Sequence, residues 1–267
     1  MSKQRLDLLL VERNLMETSE KAKRNIMAGL VFSENHRLDK PGMKVDHDIP
    51  LTVKGKLIPY VGRGGLKLEK ALNNFSVSVR NKIMLDIGSS TGGFTDCALQ
   101  NGVKLCYAID VGYNQLDWKL RSDDRVAVME RTNFRYVTAE ILTQGTPDFA
   151  TIDVSFISLK VILPVLKQLL AENSDVIALI KPQFEASKEQ VGKKGVVRER
   201  EVHEDVVKTI ITFAEKEGYI LYDLTHSPIT GGDGNIEFLA HLGWKKEEKK
   251  KKEINVQQIV EKAHNEL

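Results

Sequence analysis

Cysteine is nearly absent from this chain, with two in 267 residues, Cys97 and Cys106. So low a count excludes a disulfide-built secreted scaffold, and the spacing excludes a paired-cysteine zinc site. Both lie among apolar neighbours, so packing is their expected role. No apolar run approaches the ~18 residues that a membrane-spanning helix needs. The opening Met1-Ser-Lys-Gln-Arg-Leu-Asp7 lacks the apolar stretch of a signal peptide. Strands alternating in the manner of a membrane barrel are missing too. The expectation is a cytoplasmic, reduced protein with no membrane partner.

Charge of one sign is also lacking overall, since the net is +2. Its distribution is uneven. Residues 1–64 carry 12 Lys/Arg against 8 Asp/Glu, and the tract 245–253 carries 6 against 3, which leaves −5 for the rest. A basic N-terminal part suits a polyanionic partner. The mixed Lys/Glu tract reads as a solvated helix or tail. Length and a 42% hydrophobic content predict one medium domain with a small accessory unit. The boundaries read as 1–62, 63–244 and a Lys-rich tail or helix over 245–267.

The first unit begins with Leu6, Leu8, Leu9, Leu10 and Val11, a short helix with an apolar face. Thr18 or Ser19 caps a second helix running to Ala28, and Gly29 suits its C-terminal turn. Short strands follow around Leu30–Phe32 and Lys40–Val45, with a polar turn at Ser33–His36. Arg5, Lys23, Arg24 and Lys40 decorate this module. After the glycine-bearing connector Leu57–Gly65, which contains Arg63, strands and helices alternate. Strands are predicted at 82–86, 104–110, 125–130, 149–154, 176–180, 219–226 and 235–241. Helices are predicted at 93–100, 114–120, 159–170 and 201–216. This order means a parallel sheet wound on both faces, and the helix-free link Pro228–Gly234 implies an antiparallel edge hairpin.

The segment Asp86-Ile-Gly-Ser-Ser-Thr-Gly-Gly-Phe94 closes the first strand of that sheet. Such a strand–turn–helix corner lets a ligand approach the backbone at Gly88, Gly92 and Gly93. The dinucleotide fingerprint G-x-G-x-x-G lacks its second glycine here, since Ser89 and Ser90 follow Gly88. A loop holding pyrophosphate needs that glycine, whereas one holding adenosylmethionine does not. Asp110, 24 residues beyond Asp86, ends the next strand, where a carboxylate can accept hydrogen bonds from ribose hydroxyls. Val111 and Asn133 follow strand ends on the same rim. The plain alternative for the corner is a tight turn with no ligand.

Four polar residues remain. Asp153 ends the fourth strand, and Lys181 ends the apolar Val176–Ile180 and is kept extended by Pro182. Glu237 is expected on the sheet-edge strand, facing the cleft, and Lys67 on the first helix. Convergence of these four would suit methyl transfer to a hydroxyl, with Lys181 taking the proton. Asp153 would orient the amine, and Lys67 would supply a second positive charge. His203 and Glu204 have the wrong helical spacing for two metal ligands and are expected to face solvent, so no metal is expected.

Two resemblances add to this reading. Arg5-Leu-Asp-Leu-Leu-Leu10, Ala22–Val31 and Lys40-Pro-Gly42 resemble a small RNA-binding domain first described in a small-subunit ribosomal protein, which implies phosphate contacts at Arg5, Lys23, Arg24 and Lys40. Arg63-Gly-Gly-Leu-Lys67, the segment Asp86–Phe94, Asp153–Ser158, Lys181-Pro-Gln-Phe-Glu185 and Gly192–Arg198 resemble the TlyA family of FtsJ-like ribose methyltransferases. That resemblance implies a Rossmann-like class I methyltransferase fold (α/β, a parallel sheet with one antiparallel edge hairpin), preceded by a small α+β RNA-binding domain. It also implies S-adenosyl-L-methionine as cofactor, held by Asp86, Gly88, Ser89, Ser90, Thr91, Gly92, Gly93, Phe94, Asp110, Val111, Asn133 and Asp153. The reaction implied is methylation of the ribose 2′-hydroxyl of cytidine in ribosomal RNA or ribosomal subunits, with Lys67, Asp153, Lys181 and Glu237 as the reacting set and Arg63 on the RNA side. Relatives are also labelled haemolysin, a membrane-active alternative that liposome leakage would expose. An RNA-binding chaperone with an inactive cleft is the other alternative, distinguished by failure to bind the methyl donor.

Overall fold

The computed structural model describes residues 3–54, 58–246 and 254–267. The chain divides into two compact units, 1–63 and 64–267.

In the first unit, β1 (Lys3–Arg5) leads into α1 (Leu6–Glu12), followed by α2 (Ser19–Met27), β2 (Val31–Ser33), β3 (His36–Arg37), β4 (Lys44–Asp46) and β5 (Thr52–Val53). Leu6, Leu9 and Leu10 recur at helical spacing and are fully buried against Ala22 and Ile26. The cap of α2 is Thr18, whose hydroxyl accepts the Lys21 amide at 3.2 Å. Gly29 follows in the left-handed region at φ 73°, where a side chain is disfavoured. Strand β1 pairs antiparallel with β4, and β2 pairs with both β3 and β5.

The second unit holds α3 (Gly64–Asn74), β6 (Ile83–Ile87), α4 (Gly93–Gln100), β7 (Leu105–Ile109), α5 (Trp118–Arg121), β8 (Val126–Met129) and β9 (Phe149–Ile152). It continues through α6 (Leu159–Leu166), β10 (Ser174–Ile180), α7 (Pro182–Glu185), α8 (Arg200–Lys216), β11 (Tyr219–His226), β12 (Phe238–Trp244) and α9 (Val256–Glu266). Seven strands form one sheet in the order β11-β12-β10-β9-β6-β7-β8. Five run parallel, while β12 is antiparallel to both β10 and β11. The chain leaves β6 toward β7 on one side and returns to β9 on the other. That reversal opens a crevice at the carboxyl ends of β6 and β9. Every residue of β10 is buried, as a strand covered on both faces requires.

Several elements differ from their sequence-based bounds. The expected helix over 114–120 shrinks to α5, because Glu130 accepts the Gln115 amide at 3.0 Å and so holds the preceding residues as a loop. The expected helix 159–170 ends as α6 at Leu166, after which the Gln168 and Leu169 amides bond the carbonyls three residues back, those of Val165 and Leu166, at 3.1 and 3.0 Å. The last strand starts at Phe238, not Asn235, and lies between β10 and β11, so the sheet edge is β11. His203 is fully buried rather than exposed. Its Nδ1 lies 2.8 Å from His264 Nε2, and its ring meets Phe238 edge-on. Burial pushes its pKa down to about 4, with His264 adding to the effect. Helix α9, at the end of the expected tail, packs into the sheet unit through Val260 and Ala263, while 247–253 lie outside the described residues. Among the described residues, no helix is long and apolar enough to cross a membrane.

Candidate active site

The crevice between β6 and β9 opens into a cavity of 370 Å³. Gly88, Ser90, Asp110, Val111, Asn133 and Asp153 line it, and Ile87, Ile109, Phe134, Ile157 and Ile162 supply apolar wall. Gly88 is required twice over. Its φ is +84°, and a Cβ there would meet the Asp153 carbonyl oxygen at 2.5 Å. The end of β9 therefore passes directly over the corner. Asp110 is fixed at the end of β7 because its Oδ1 accepts the Gly112 amide at 2.7 Å and its Oδ2 the Ser90 amide at 2.8 Å. A carboxylate has about four acceptor sites, so capacity remains for ligand hydroxyls. Asn133 Oδ1 accepts the Arg135 amide at 3.1 Å.

Other corner residues stand behind the cavity wall. Ser89 and the run Gly92-Gly93-Phe94 are buried, Thr91 is exposed, and none of these five lines the cavity. Phe94 packs toward Gly64 at the start of α3. Asp86 is wholly buried, and its carboxylate accepts the Thr95 hydroxyl at 2.6 Å and the Thr151 hydroxyl at 2.8 Å. It thus ties α4 and β9 to β6. Burial raises its pKa from 3.8 to about 6, despite the two hydroxyl donors. A raised acid contributes stability that is complete below 3.8 and lost as pH rises through about 6. That interval is worth about 3 kcal/mol. Asp86→Asn is therefore expected to flatten the pH dependence of unfolding between pH 4 and 7, measured with denaturant. A variant curve parallel to wild type would remove this assignment.

At the cavity's edge four charged side chains from separate elements meet. Lys67 of α3 donates to Glu237 Oε2 at 2.8 Å and to Asp153 Oδ2 at 3.4 Å. Lys181 Nζ lies 2.5 Å from Asp153 Oδ1 and donates to Ser155 Oγ at 3.2 Å. Gln183 donates to Glu237 Oε1 at 3.1 Å. Asp153 thus joins both lysines and lines the cavity as well. Lys67, Lys181 and Glu237 are each less than a tenth exposed. Burial opposes the Lys67 charge, but the Asp153 and Glu237 carboxylates outweigh it and hold its pKa above the ordinary lysine value. Burial likewise opposes the Asp153 charge, and the two lysines outweigh it and keep its pKa below the usual carboxylate range. Gly231 makes room for Glu237, since a Cβ there would lie 2.2 Å from Oε1.

Sequence reasoning assigned no role to Ser155, Gln183 or Phe156. Ser155 and Gln183 each lie two residues beyond an expected reacting residue, Asp153 and Lys181 respectively. Phe156 is 91% exposed at φ 62°, on the cavity rim, with its ring centroid 5.0 Å from that of Phe184. A bulky residue held exposed in the left-handed region signals a constraint other than folding. In the first unit, Lys40 is exposed, while Lys23 and Arg24 are half-buried on α2. Arg5 is half-exposed but already forked on the buried Asp7, at 3.1 and 2.8 Å. Arg63 is exposed. Among the described residues, no three His, Cys, Asp or Glu side chains cluster as a metal site.

The switch-point cavity, its strand-end acid and the buried Lys–Asp–Lys–Glu cluster define a class, the Rossmann-like methyltransferases. The chain belongs to the FtsJ-like methyltransferase family, whose model matches residues 60–244. It is 65% identical over 268 aligned positions to YqxC of Bacillus subtilis, covering 99% of this chain and 95% of that one. It is 39% identical over 239 residues to the 16S/23S rRNA (cytidine-2'-O)-methyltransferase TlyA of Mycobacterium tuberculosis, covering 89% of each. A solved Streptococcus thermophilus structure, described as a haemolysin candidate, superposes with a TM-score of 0.80 at 53% identity over 100% of this chain and 97% of that one.

Proposed function

We propose that this chain transfers a methyl group from S-adenosyl-L-methionine to the ribose 2′-hydroxyl of cytidine in ribosomal RNA, with Lys181 as general base. The observation that carries the reading is the single carboxylate of Asp153, which lines the cavity and touches both lysines. The residues present fit the methyl donor. Gly88 leaves open a cradle that a Cβ would fill, Asp110 offers acceptors for a diol, and the apolar wall suits a flat base. Gly88, Ser90, Asp110, Val111 and Asn133 would hold the nucleoside, with Asp153 beside its reactive end. When bound, the donor supplies an electrophilic methyl on sulfur.

The protein's part is alignment and proton removal. An attacking hydroxyl must lose its proton as its oxygen bonds to carbon, and the Lys181 amine is the acceptor at the rim. Asp153 aims that amine and stabilises the ammonium formed when it takes the proton. Lys67, held charged by two carboxylates, supplies fixed positive charge beside the reacting oxygen. Glu237 and Gln183 keep Lys67 in place. The exposed Phe156 ring offers a stacking face for a nucleobase drawn out of its stack.

The test is incorporation of a labelled methyl group from S-adenosyl-L-methionine into ribosomal RNA, alongside calorimetric titration of the donor. Absence of both binding and incorporation would overturn the proposal. The first unit is the RNA-docking part of this reading, with Lys23 and Arg24 on α2. Lys23→Ala with Arg24→Ala is expected to weaken RNA affinity and to reduce the slope of log affinity against log salt by roughly 1.5, at about 0.7–0.9 per phosphate contact. An unchanged slope would take the docking role away from that helix.

A further inference from the structure

The segment Gly192-Lys-Lys-Gly-Val-Val-Arg198 is unused by the chemistry above, and none of its residues lines the 370 Å³ cavity. It is nevertheless firmly anchored. Val196 and Val197 are buried, at 6% and 2% exposure. The Gly192 amide donates to the Val196 carbonyl at 3.0 Å, closing a short loop on itself. Asn235, 3% exposed, is committed to holding it. Its Oδ1 accepts the Val197 amide at 3.2 Å, and its Nδ2 donates to the Gly195 and Gly232 carbonyls at 3.0 Å each.

This fixes the loop to the turn 231–235. The Gly231 amide closes that turn on the Asn235 carbonyl at 2.8 Å, and Gly231 itself backs the Glu237 carboxylate. Asn235, which holds the loop base, is thus two residues from Glu237 of the reacting cluster. Its tip, by contrast, is exposed and cationic. Lys193, Lys194 and Arg198 all face solvent, and none makes an ion pair with a described residue. Gly195 at the tip has nothing within 4 Å of a Cβ position. Solvated lysines usually sit on mobile stems. Here two are mounted on a loop whose base is locked by a buried asparagine.

We infer that Lys193, Lys194 and Arg198 form a phosphate-docking element of the catalytic unit, which holds the RNA backbone in fixed register to Glu237 and Lys67. The inference rests on RNA being the substrate. Cations carried on an anchored loop contact phosphates, which fix backbone position and carry no base information. Their engagement lowers the energy of bound substrate and reaction complex alike, so it acts on KM and leaves kcat unaltered.

The experiment compares full-length wild type with Lys193→Ala/Lys194→Ala, using ribosomal RNA extracted from purified ribosomes. Both side chains are exposed and have no ion-pair partner among the described residues, so the thermal unfolding midpoint is expected to be unchanged. The variant is expected to bind this RNA about tenfold more weakly and to lose roughly 1.5 from its salt slope. The KM for RNA rises accordingly, while kcat and the calorimetric affinity for S-adenosyl-L-methionine stay at wild-type values. Wild-type RNA affinity and salt slope in the variant would overturn the inference while leaving the methyl-transfer reading intact. A loop-dependent loss of RNA binding, in a protein that moves no methyl group to RNA, would overturn the reading and leave the docking element standing.

Discussion

Lys181→Ala loses methyl transfer by at least about 100-fold, the lower end of what a positioned general base contributes, and keeps both binding equilibria. The expectation follows from where the amine sits. It follows β10 directly, extended at φ −112° and ψ 100° ahead of Pro182, and reaches the carboxylate that both lysines share. It lines no part of the nucleoside cavity, so the donor's affinity should not depend on it. Single-turnover rates at saturating donor and RNA, set against calorimetric affinities for each, separate chemistry from binding. Wild-type turnover in the variant would take the base role from Lys181. Loss of donor binding would instead make it a structural support of the cavity.

Lys67→Ala is expected to destabilise the fold by about 3 kcal/mol or more, the usual result of removing one partner from a buried ion pair. Glu237 has a side chain 2% exposed, and Lys67 donates to it and to Asp153. Without the ammonium, two carboxylates face each other across a space that water reaches poorly. Because the folded chain raises the Lys67 pKa, its contribution is complete at neutral pH. It is lost only in alkali, as pH rises through the folded value. Lys67→Met combined with Glu237→Gln removes both charges at similar volume and is expected to recover much of the loss. Denaturant unfolding of wild type and the two variants checks this. Equal stability of Lys67→Ala and wild type would show that the cluster is solvated and the burial argument mistaken.

The parts of the fold legible in the sequence are those set by local rules. The β6 corner, the start and end of α4, and the bounds of β11 follow from an apolar run meeting glycines at strand and helix ends. Thr18, rather than Ser19, closes α2 because its hydroxyl reaches the third following amide. Less legible were features decided by tertiary contacts. His203 looked like a surface residue of a helix, but α9 covers that face and His264 meets its ring. The inner position of β12 depends on which strand reaches β10 first, and strand-to-strand order is not encoded locally. In the site, Asp153, Lys181 and Glu237 stand out because each ends or borders an apolar strand, while Lys67, inside α3, is legible only through the family resemblance. Ser155 and Gln183 carried no such signal, since a serine or glutamine beside a strand end is ordinary until its partner is known. Phe156 was hidden for a different reason, because backbone in the left-handed region cannot be read from a phenylalanine.

The most direct measurement is mass mapping of nucleosides from ribosomal RNA incubated with this protein and labelled S-adenosyl-L-methionine. One added methyl group on the ribose of cytidine, present with wild type and missing with Lys181→Ala, is the predicted result. Label on a base rather than a sugar, or equal label from both proteins, would contradict the account.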